Sequence, residues 1–368
     1  MKKILLLPFL AITLSINAQT TIDYTLADNV ALEVPRDGTQ NVKELAGHLT
    51  KGLDTDLEKA RAFYVWIANN IKYDARFYFN DKRTPQQIKD RQKVSNVLRT
   101  KIAVCEGYSN LFHELCLEAG IPSIFVSGFT KTNKGRIPRT THAWNVIKVD
   151  GKWVLIDSTW GAGYVDEDKK RFNRYFKEQY FMALPEQFVL DHLPHDPIFQ
   201  IQSNPVSLKV FSESENAILE HLKENAQPDF EHFQDTLDFY YSLDERARLK
   251  NSFERILRFD SNSSYGNFKG FDYHFNESRD AFDQYKAATT PVFEKRSIPE
   301  KEQLREWEAY IRQAKTDIHL AETYVKKIKP GDRFYKYAIP GKKNINIMNK
   351  NLEIADKQLA QFRRFFKN

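Results

Sequence analysis

Apolar side chains recur at the three- and four-residue spacing of a helical face in several parts of the chain. One such segment runs from about Thr55 to Ile71, and another begins at Cys105 and ends before Gly120. Glycine tolerates the left-handed conformation that closes a helix, and the proline at position 122 cannot continue the helical ladder. The pattern therefore predicts a helix that starts at Cys105.

Two runs rich in β-branched and aromatic residues follow, and the dipeptide between them sets their register. Residues 142–149 and 152–159 are separated by Asp-Gly, which is typical of a two-residue hairpin turn. Such a turn pairs positions whose numbers add to 301. His142 and Asp157 are then diagonal neighbours on one face, about 7 Å apart at their α-carbons. A three-residue turn would shift the register by one and separate them.

The same three side chains suit acyl-transfer chemistry. A thiol at a helix N-terminus is close to free backbone N–H groups and to the positive end of the helix dipole, and both stabilise a thiolate. A histidine can take the thiol proton, and a carboxylate can hold the ring in the required orientation. We interpret Cys105 as a nucleophile, His142 as its base and Asp157 as the orienting acid. The alternative is that each residue is structural.

The chain has two cysteines, Cys105 and Cys116. On one helix their α-carbons would be about 16 Å apart, whereas a disulfide tolerates about 7 Å. Cys116 falls on the apolar face of the predicted helix and is interpreted as a small buried side chain. A disulfide between them is therefore excluded unless the helix is broken.

Composition and charge narrow the class of protein. The chain has 368 residues, of which 41% are hydrophobic and 13% aromatic, and its formal net charge is +6. These values fit a globular protein with one large or two smaller domains. The sequence contains no basic run interleaved with aromatic residues, so nucleic-acid binding is not expected.

The N-terminus predicts export. Lys2 and Lys3 precede an apolar run from Ile4 to Ile16, and Ala18 offers a small residue for cleavage. This run is shorter than the ~20 residues that span a bilayer, so residues 1–18 are interpreted as a signal peptide. The mature protein is expected to be periplasmic or extracellular, without a membrane span.

Other polar residues near the three side chains give weaker predictions. Lys131 and Arg139 lie in a basic loop that leads into His142 and are predicted, with Trp144 and Trp160, to line the substrate cleft. A solvated loop is the alternative. The His-x-x-His pair at positions 192 and 195 could suggest a metal site, but the adjacent prolines favour a structural loop, and no third ligand block is evident. No metal and no cofactor are predicted.

The character of the sequence changes after Asn204. Residues 205–290 mix short helical runs with a Ser/Asn/Gly-rich loop at 260–270, and two heptad patterns follow. Pro-Gly pairs at 330–331 and 340–341 separate the heptads, which predicts a helical hairpin over about residues 298–367. The hairpin is expected to pack within the chain and to supply no catalytic group. Binding of a cell-surface partner is the alternative.

Three sequence blocks, around Cys105, His142 and Asp157, together resemble the transglutaminase-like superfamily, in particular its bacterial and kyphoscoliosis-peptidase-type branch. The first block is in the run VCEGYSNLFHELCLEAGIP, and the other two are in the run THAWNVIKVDGKWVLIDSTWG. The resemblance extends over roughly residues 40–204. It implies an α+β, papain-like core in which the nucleophile helix packs on an antiparallel sheet that carries His and Asp. The implied organisation is a catalytic domain at 19–204 followed by a mostly helical accessory region at 205–368.

The resemblance also implies a reaction class. Members form a thioester from an amide and pass the acyl group to an amine or to water. Cross-linking, deamidation and proteolysis of a protein or peptide substrate therefore stay open. The alternatives are a catalytically silent binding or scaffold module of the same fold, and an amidase acting on a glycan-linked or cell-wall peptide.

Overall fold

The computed structural model describes residues 22–36, 41–80, 82–132 and 134–366. The predicted signal peptide lies outside these residues. Within the described parts the chain forms the following α-helices: α1 (Thr25–Glu33), α2 (Val42–Leu49), α3 (Asp56–Asn70), α4 (Ala75–Tyr78), α5 (Pro85–Gln92), α6 (Val94–Thr100), α7 (Cys105–Glu118), α8 (Ser158–Ala162), α9 (Pro185–Phe188), α10 (Leu208–Phe211), α11 (Glu215–His221), α12 (Phe233–Ser242), α13 (Glu245–Phe259), α14 (Ser264–Glu294), α15 (Lys301–Lys327) and α16 (Tyr335–Arg364).

The strands are short, and most of them form one antiparallel sheet. They are β1 (Lys72–Tyr73), β2 (Ile102–Ala103), β3 (Ser123–Thr130), β4 (His142–Val149), β5 (Lys152–Ile156), β6 (Gly163–Asp166), β7 (Arg171–Arg174) and β8 (His192–Pro194). The main sheet has the order β5-β4-β3-β8, while β1 pairs with β2 and β6 pairs with β7. Among the described residues, no helix is both long enough and apolar enough to cross a bilayer.

The predicted hairpin is confirmed in register but not in length. Val149 pairs with Lys152, and both turn residues between them have positive φ, as a two-residue turn of this type requires. Strand β5 nevertheless ends at Ile156, three residues earlier than predicted. Asp157 caps the N-terminus of α8, so the residues after it are helical. The prediction of a strand up to Thr159 was wrong because Asp157 can accept hydrogen bonds from the next backbone N–H groups.

The sheet is covered on both faces. Strand β4 is buried along most of its length, with Ala143, Ile147 and Val149 packed in the same core as α3 and α7. Trp144 and Val146 point the other way, into a second core with the segment from 180 to 201 and α12. Alternate β4 residues therefore belong to two different cores, which explains why the strand has apolar side chains on both of its faces.

The helix at Cys105 is confirmed at both ends. Helix α7 begins at Cys105, and Gly120 adopts a positive φ just beyond the helix. It is held against its neighbours by polar contacts as well as by its apolar face. The Tyr108 hydroxyl donates to the Ile71 carbonyl (2.7 Å), and the Asn145 amide of β4 donates to the Ser109 carbonyl (3.1 Å). Helix α7 is thus fixed relative to the strand that begins with His142.

The C-terminal region contains a packed set of three long helices. The α15–α16 hairpin was predicted, and the apolar positions of both heptads are buried, including Ile318 and Leu359. Helix α14 packs against both of them through Phe271, Ala281 and Tyr285, and this third helix was not predicted from the sequence. The predicted hairpin therefore supplies two of the three helices of a larger bundle.

Two predicted chain breaks in this region were wrong. Helix α16 already begins at Tyr335 and runs through Pro340 and Gly341. A Cβ at Gly341 would lie 2.8 Å from the Phe271 ring, so this glycine permits close approach of α16 to α14 rather than a turn. The loop predicted up to residue 270 also ends early, because α14 begins at Ser264.

Residues on the two sides of position 204 are in contact. The Asp196 carboxylate accepts from the Arg255 guanidinium at 2.8 and 2.6 Å, and both side chains are buried. His195 stacks on Tyr265 with ring centroids 4.0 Å apart. The division of the chain at residue 204 stays a prediction. If the chain is divided there, buried contacts join the two parts.

Candidate functional site

Cys105 occupies the first position of α7. The preceding residue, Val104, provides no side-chain cap, so the first turn of the helix has no side-chain acceptor from that position. The thiol side chain is 9% exposed. Nearby, burial raises the pKa of Tyr73 well above its usual value, and the charge of Cys105 adds to this shift. Cys105 therefore lies at the edge of the core with an aromatic hydroxyl near it.

His142 is the first residue of β4 and interacts with both other members of the predicted triad. Its Nε2 lies 2.7 Å from Asp157 Oδ2, and Cys105 is close enough to raise the pKa of the same ring. Burial would lower the pKa of His142, but the charge and hydrogen bond of Asp157 and the contact with Cys105 raise it to about 9. The ring is thus protonated at neutral pH, and its proton is lost only as the pH rises through about 9.

Asp157 is saturated with hydrogen bonds. Its Oδ1 accepts from the backbone N–H groups of Thr159 (2.8 Å) and Trp160 (3.1 Å), which begin α8. Its Oδ2 faces His142 and a second histidine, His192, whose Nε2 is 3.0 Å away. Burial would raise the pKa of Asp157, but the charge and hydrogen bonds of both histidines hold it well below its usual value. Asp157 is therefore a fixed anion.

His192 was not predicted to belong to the site, because the prolines beside it favour a structural loop. His192 instead begins β8, an edge strand in which it pairs with Thr130 of β3. Gly128, two residues earlier in β3, matters here because a Cβ at that position would lie 2.5 Å from the Trp144 ring. The missing side chain leaves room for Trp144 and His192 to pack together over β3, with ring centroids 5.2 Å apart. The only sequence signal was the adjacent acid at position 191.

The three groups around Asp157 also satisfy the spacing of a metal site. One ligand atom each from His142, Asp157 and His192 lies within 4.8 Å of the others. These atoms already pair with one another, because Asp157 Oδ2 is within hydrogen-bonding distance of both rings. A metal would require both imidazoles to be neutral, whereas the pKa of each is raised to about 9. Hydrogen bonding explains this cluster without a metal.

Comparison with known proteins agrees with this geometry. Residues 43–158 match the family model of the transglutaminase-like superfamily. The chain carries a transglutaminase-like domain. Over 180 residues it is 36% identical to the kyphoscoliosis peptidase of Mus musculus, an alignment that covers 47% of this chain and 26% of the relative. The Homo sapiens kyphoscoliosis peptidase is 37% identical over 175 residues, which is 46% of this chain and 25% of the relative.

These likenesses concern the transglutaminase-like domain alone. The chain spans about a quarter of the length of the curated relatives it matches. A solved structure described as a TGase covers 39% of this chain and 35% of its own, at 20% identity and a TM-score of 0.26. The transglutaminase-like domain and the α+β fold with a helical C-terminal region are established, and the sequence resemblance is confirmed.

The residues predicted to line the cleft of the transglutaminase-like domain have different environments. Trp144 is fully buried against Phe188 and His192, so its prediction as a substrate-contacting residue was wrong. Trp160 is half-buried and packs on His142, with ring centroids 5.7 Å apart. Its position beside the His142 ring keeps it as a candidate.

The two basic residues predicted to line the cleft, Lys131 and Arg139, also have different environments. Lys131 donates to the Glu213 carbonyl (3.1 Å) and lies 4.7 Å above the Phe211 ring, so its ammonium group faces the C-terminal region. Arg139 is exposed, and the neighbouring Thr140 hydroxyl is 2.9 Å from that of Tyr78. Arg139 stays a prediction, whereas the contacts of Lys131 join the two halves of the chain.

Proposed function

We propose that this protein is a cysteine-dependent acyltransferase or hydrolase. The observation that carries the proposal is the hydrogen bond between His142 and the buried carboxylate of Asp157, on a ring whose pKa Cys105 also raises. Cys105 Sγ would attack an amide carbonyl, and the C–N bond would break as His142 gives its proton to the leaving amine. The resulting thioester would then be attacked by water or by an amine, whose proton returns to His142, and the C–S bond would break to release the acid or the new amide and restore the Cys105 thiolate.

The electrostatics of the site support this assignment. Because the pKa of His142 is raised to about 9, the ring holds its proton at neutral pH and can pair with a thiolate. Cys105 lies at the start of α7, so the first backbone N–H groups of the helix would lie beside the reacting carbonyl. The N–H of Cys105 is the default donor for the oxyanion that forms during attack.

The proposed substrate is a protein or peptide amide. The word peptidase in the names of the mouse and human relatives favours hydrolysis. Transfer to an amine, which would cross-link proteins, uses the same thioester. A silent scaffold of the same fold and an amidase for glycan-linked or cell-wall peptides are the competing functions. We also propose that the protein is exported, on the strength of the basic and apolar N-terminal residues.

Alkylation should modify Cys105 and spare Cys116. Cys105 is 9% exposed at a helix N-terminus, whereas Cys116 is fully buried and burial raises its pKa well above its usual value. Iodoacetamide near pH 7 followed by peptide mapping measures this selectivity, with Cys105→Ser as the control that should take up no label. Preferential labelling of Cys116 in the folded protein would contradict the assignment.

The same wild-type and Cys105→Ser pair then tests turnover. Intact mass after exposure to a library of peptide amides should show a thioester adduct on the wild-type protein alone. Product analysis with and without an added amine separates transfer from hydrolysis, and cell-wall peptides form a further donor set. Turnover should decline as the pH rises through about 9, where His142 loses its proton. Labelling of Cys105 without turnover of any donor would favour the scaffold function.

A further inference from the structure

Both ring nitrogens of His192 face carboxylates. Nδ1 lies 2.5 Å from Asp191 Oδ1 and Nε2 lies 3.0 Å from Asp157 Oδ2, and the side chain is completely buried. An ionised carboxylate can only accept hydrogen bonds, so each nitrogen must carry a proton to satisfy both contacts. The geometry therefore requires His192 to be an imidazolium ion.

The ring of His192 is also prevented from turning. It stacks on Phe188 with centroids 4.1 Å apart and meets the face of Trp160 at 4.4 Å. On the far side, Asp191 is itself held by the Tyr180 hydroxyl, which donates to Oδ2 at 3.0 Å. Packing and hydrogen bonds thus fix the direction in which the Nε2–H group of His192 points.

We propose that His192 is a positioning residue for the transglutaminase-like site. Its Nε2–H group would hold the Asp157 carboxylate in the orientation that aligns His142 with Cys105. Its positive charge would offset part of the negative charge that Asp157 presents to His142. The catalytic interpretation rests on the function proposed above, whereas the orientation of Asp157 does not depend on any substrate.

The charged groups around His192 determine whether loss of its charge raises or lowers the pKa of His142. Asp191, Asp157, His142 and Tyr180 are the titratable groups that contact it. Burial would lower the pKa of His192, but the charge of Asp191 and the hydrogen bonds of both acids raise it to about 9. Its ring centroid is 5.5 Å from that of His142. Loss of this positive charge should therefore raise the pKa of His142.

Two amide substitutions separate positioning from charge. In His192→Gln the side-chain NH₂ can take the place of Nε2 and still donate to Asp157. In His192→Asn it can take the place of Nδ1 and reach only Asp191. Both variants remove the charge. Cys105 alkylation at pH 7 should stay within a few-fold of wild type in the Gln variant and fall on the order of 10- to 100-fold in the Asn variant.

Nuclear magnetic resonance of the histidine rings supplies the second readout. At neutral pH two rings of the full-length protein, those of His142 and His192, should carry protons on both nitrogens. The signals of the His192 ring should be absent from both variants, and in both the titration of His142 should shift upward. Thermal unfolding of each variant shows whether it is folded during alkylation.

Equal alkylation rates in the two folded variants, or a neutral His192 ring in the wild-type protein, would overturn the proposal. Slower alkylation in the Asn variant than in the Gln variant, together with no turnover of any amide substrate, would support the positioning role and refute acyl transfer.

Discussion

Asp157→Asn is expected to lower turnover by up to about 10⁴-fold. The carboxylate accepts four hydrogen bonds, two from the start of α8 and two from histidine rings. An asparagine has one acceptor oxygen, so either orientation of its amide places the NH₂ group against two donors. With the oxygen toward α8, His142 loses the acceptor that orients it. With the oxygen toward the histidines, the cap of α8 is lost.

This substitution should also destabilise the fold, because it leaves His192 without one of its two counter-charges. Removing one partner of a buried ionic network costs about 3–5 kcal/mol. Turnover must therefore be measured well below the melting temperature of the variant. Asp244→Asn is a matched control: Asp244 caps α13 by accepting from the Ala247 N–H at 2.8 Å, far along the chain from the site. It should change turnover little and stability by a few tenths of a kcal/mol.

A variant at Asp157 with turnover within tenfold of wild type would show that the carboxylate does not orient His142. Loss of turnover in Asp244→Asn would instead point to a general effect of weakened helix caps. The comparison therefore distinguishes the interaction with the histidines from the capping interaction that both aspartates make.

The parts of the site that depend on local interactions were predictable from the sequence. The two-residue turn fixes the register of β4 and β5, and the register brings His142 and Asp157 together. Gly120 marks the end of the helix that begins at Cys105. Each of these signals acts over a few residues, so no knowledge of the rest of the fold was needed.

His192 was not predictable in the same way. It reaches Asp157 because β8 pairs with β3, a strand more than sixty positions earlier in the chain. The proline at position 194 is allowed because β8 is an edge strand, but in the sequence it favours a turn. A contact set by such distant pairing has no local periodicity from which to infer it.

The long helix α14 was missed for a different physical reason. Its buried positions include Gly270, Ser278 and Thr289, so the face that packs on the other two helices is not an apolar stripe. The Ser278 hydroxyl donates to the Ala314 carbonyl at 2.8 Å instead. Small and polar residues allow close packing here. A heptad pattern is recognised from large apolar residues, so it does not indicate a face of this kind. Helices α15 and α16 have such patterns and were found.

Arg255→Met is expected to destabilise the protein by about 3–5 kcal/mol, because it would leave the buried Asp196 carboxylate without its charged partner. Two guanidinium hydrogen bonds and one from the Ser252 hydroxyl (2.7 Å) converge on this carboxylate. Asp196 follows the end of β8 by two residues. Loosening it should therefore also disturb the strand that carries His192, and slow alkylation of Cys105.

Arg258→Met on the same helix is the matched control. Arg258 is mostly exposed and lies 3.8 Å from Asp229, so its loss should cost no more than about 1 kcal/mol. Urea unfolding of the two variants gives the free energies, and Cys105 alkylation in the absence of urea gives the effect on the site. If Arg255→Met unfolds as easily as predicted while its folded form is alkylated at the wild-type rate, the C-terminal region stabilises the protein without supporting the site. Equal stability of the two variants would mean that the buried pair is not what joins α13 to the transglutaminase-like domain.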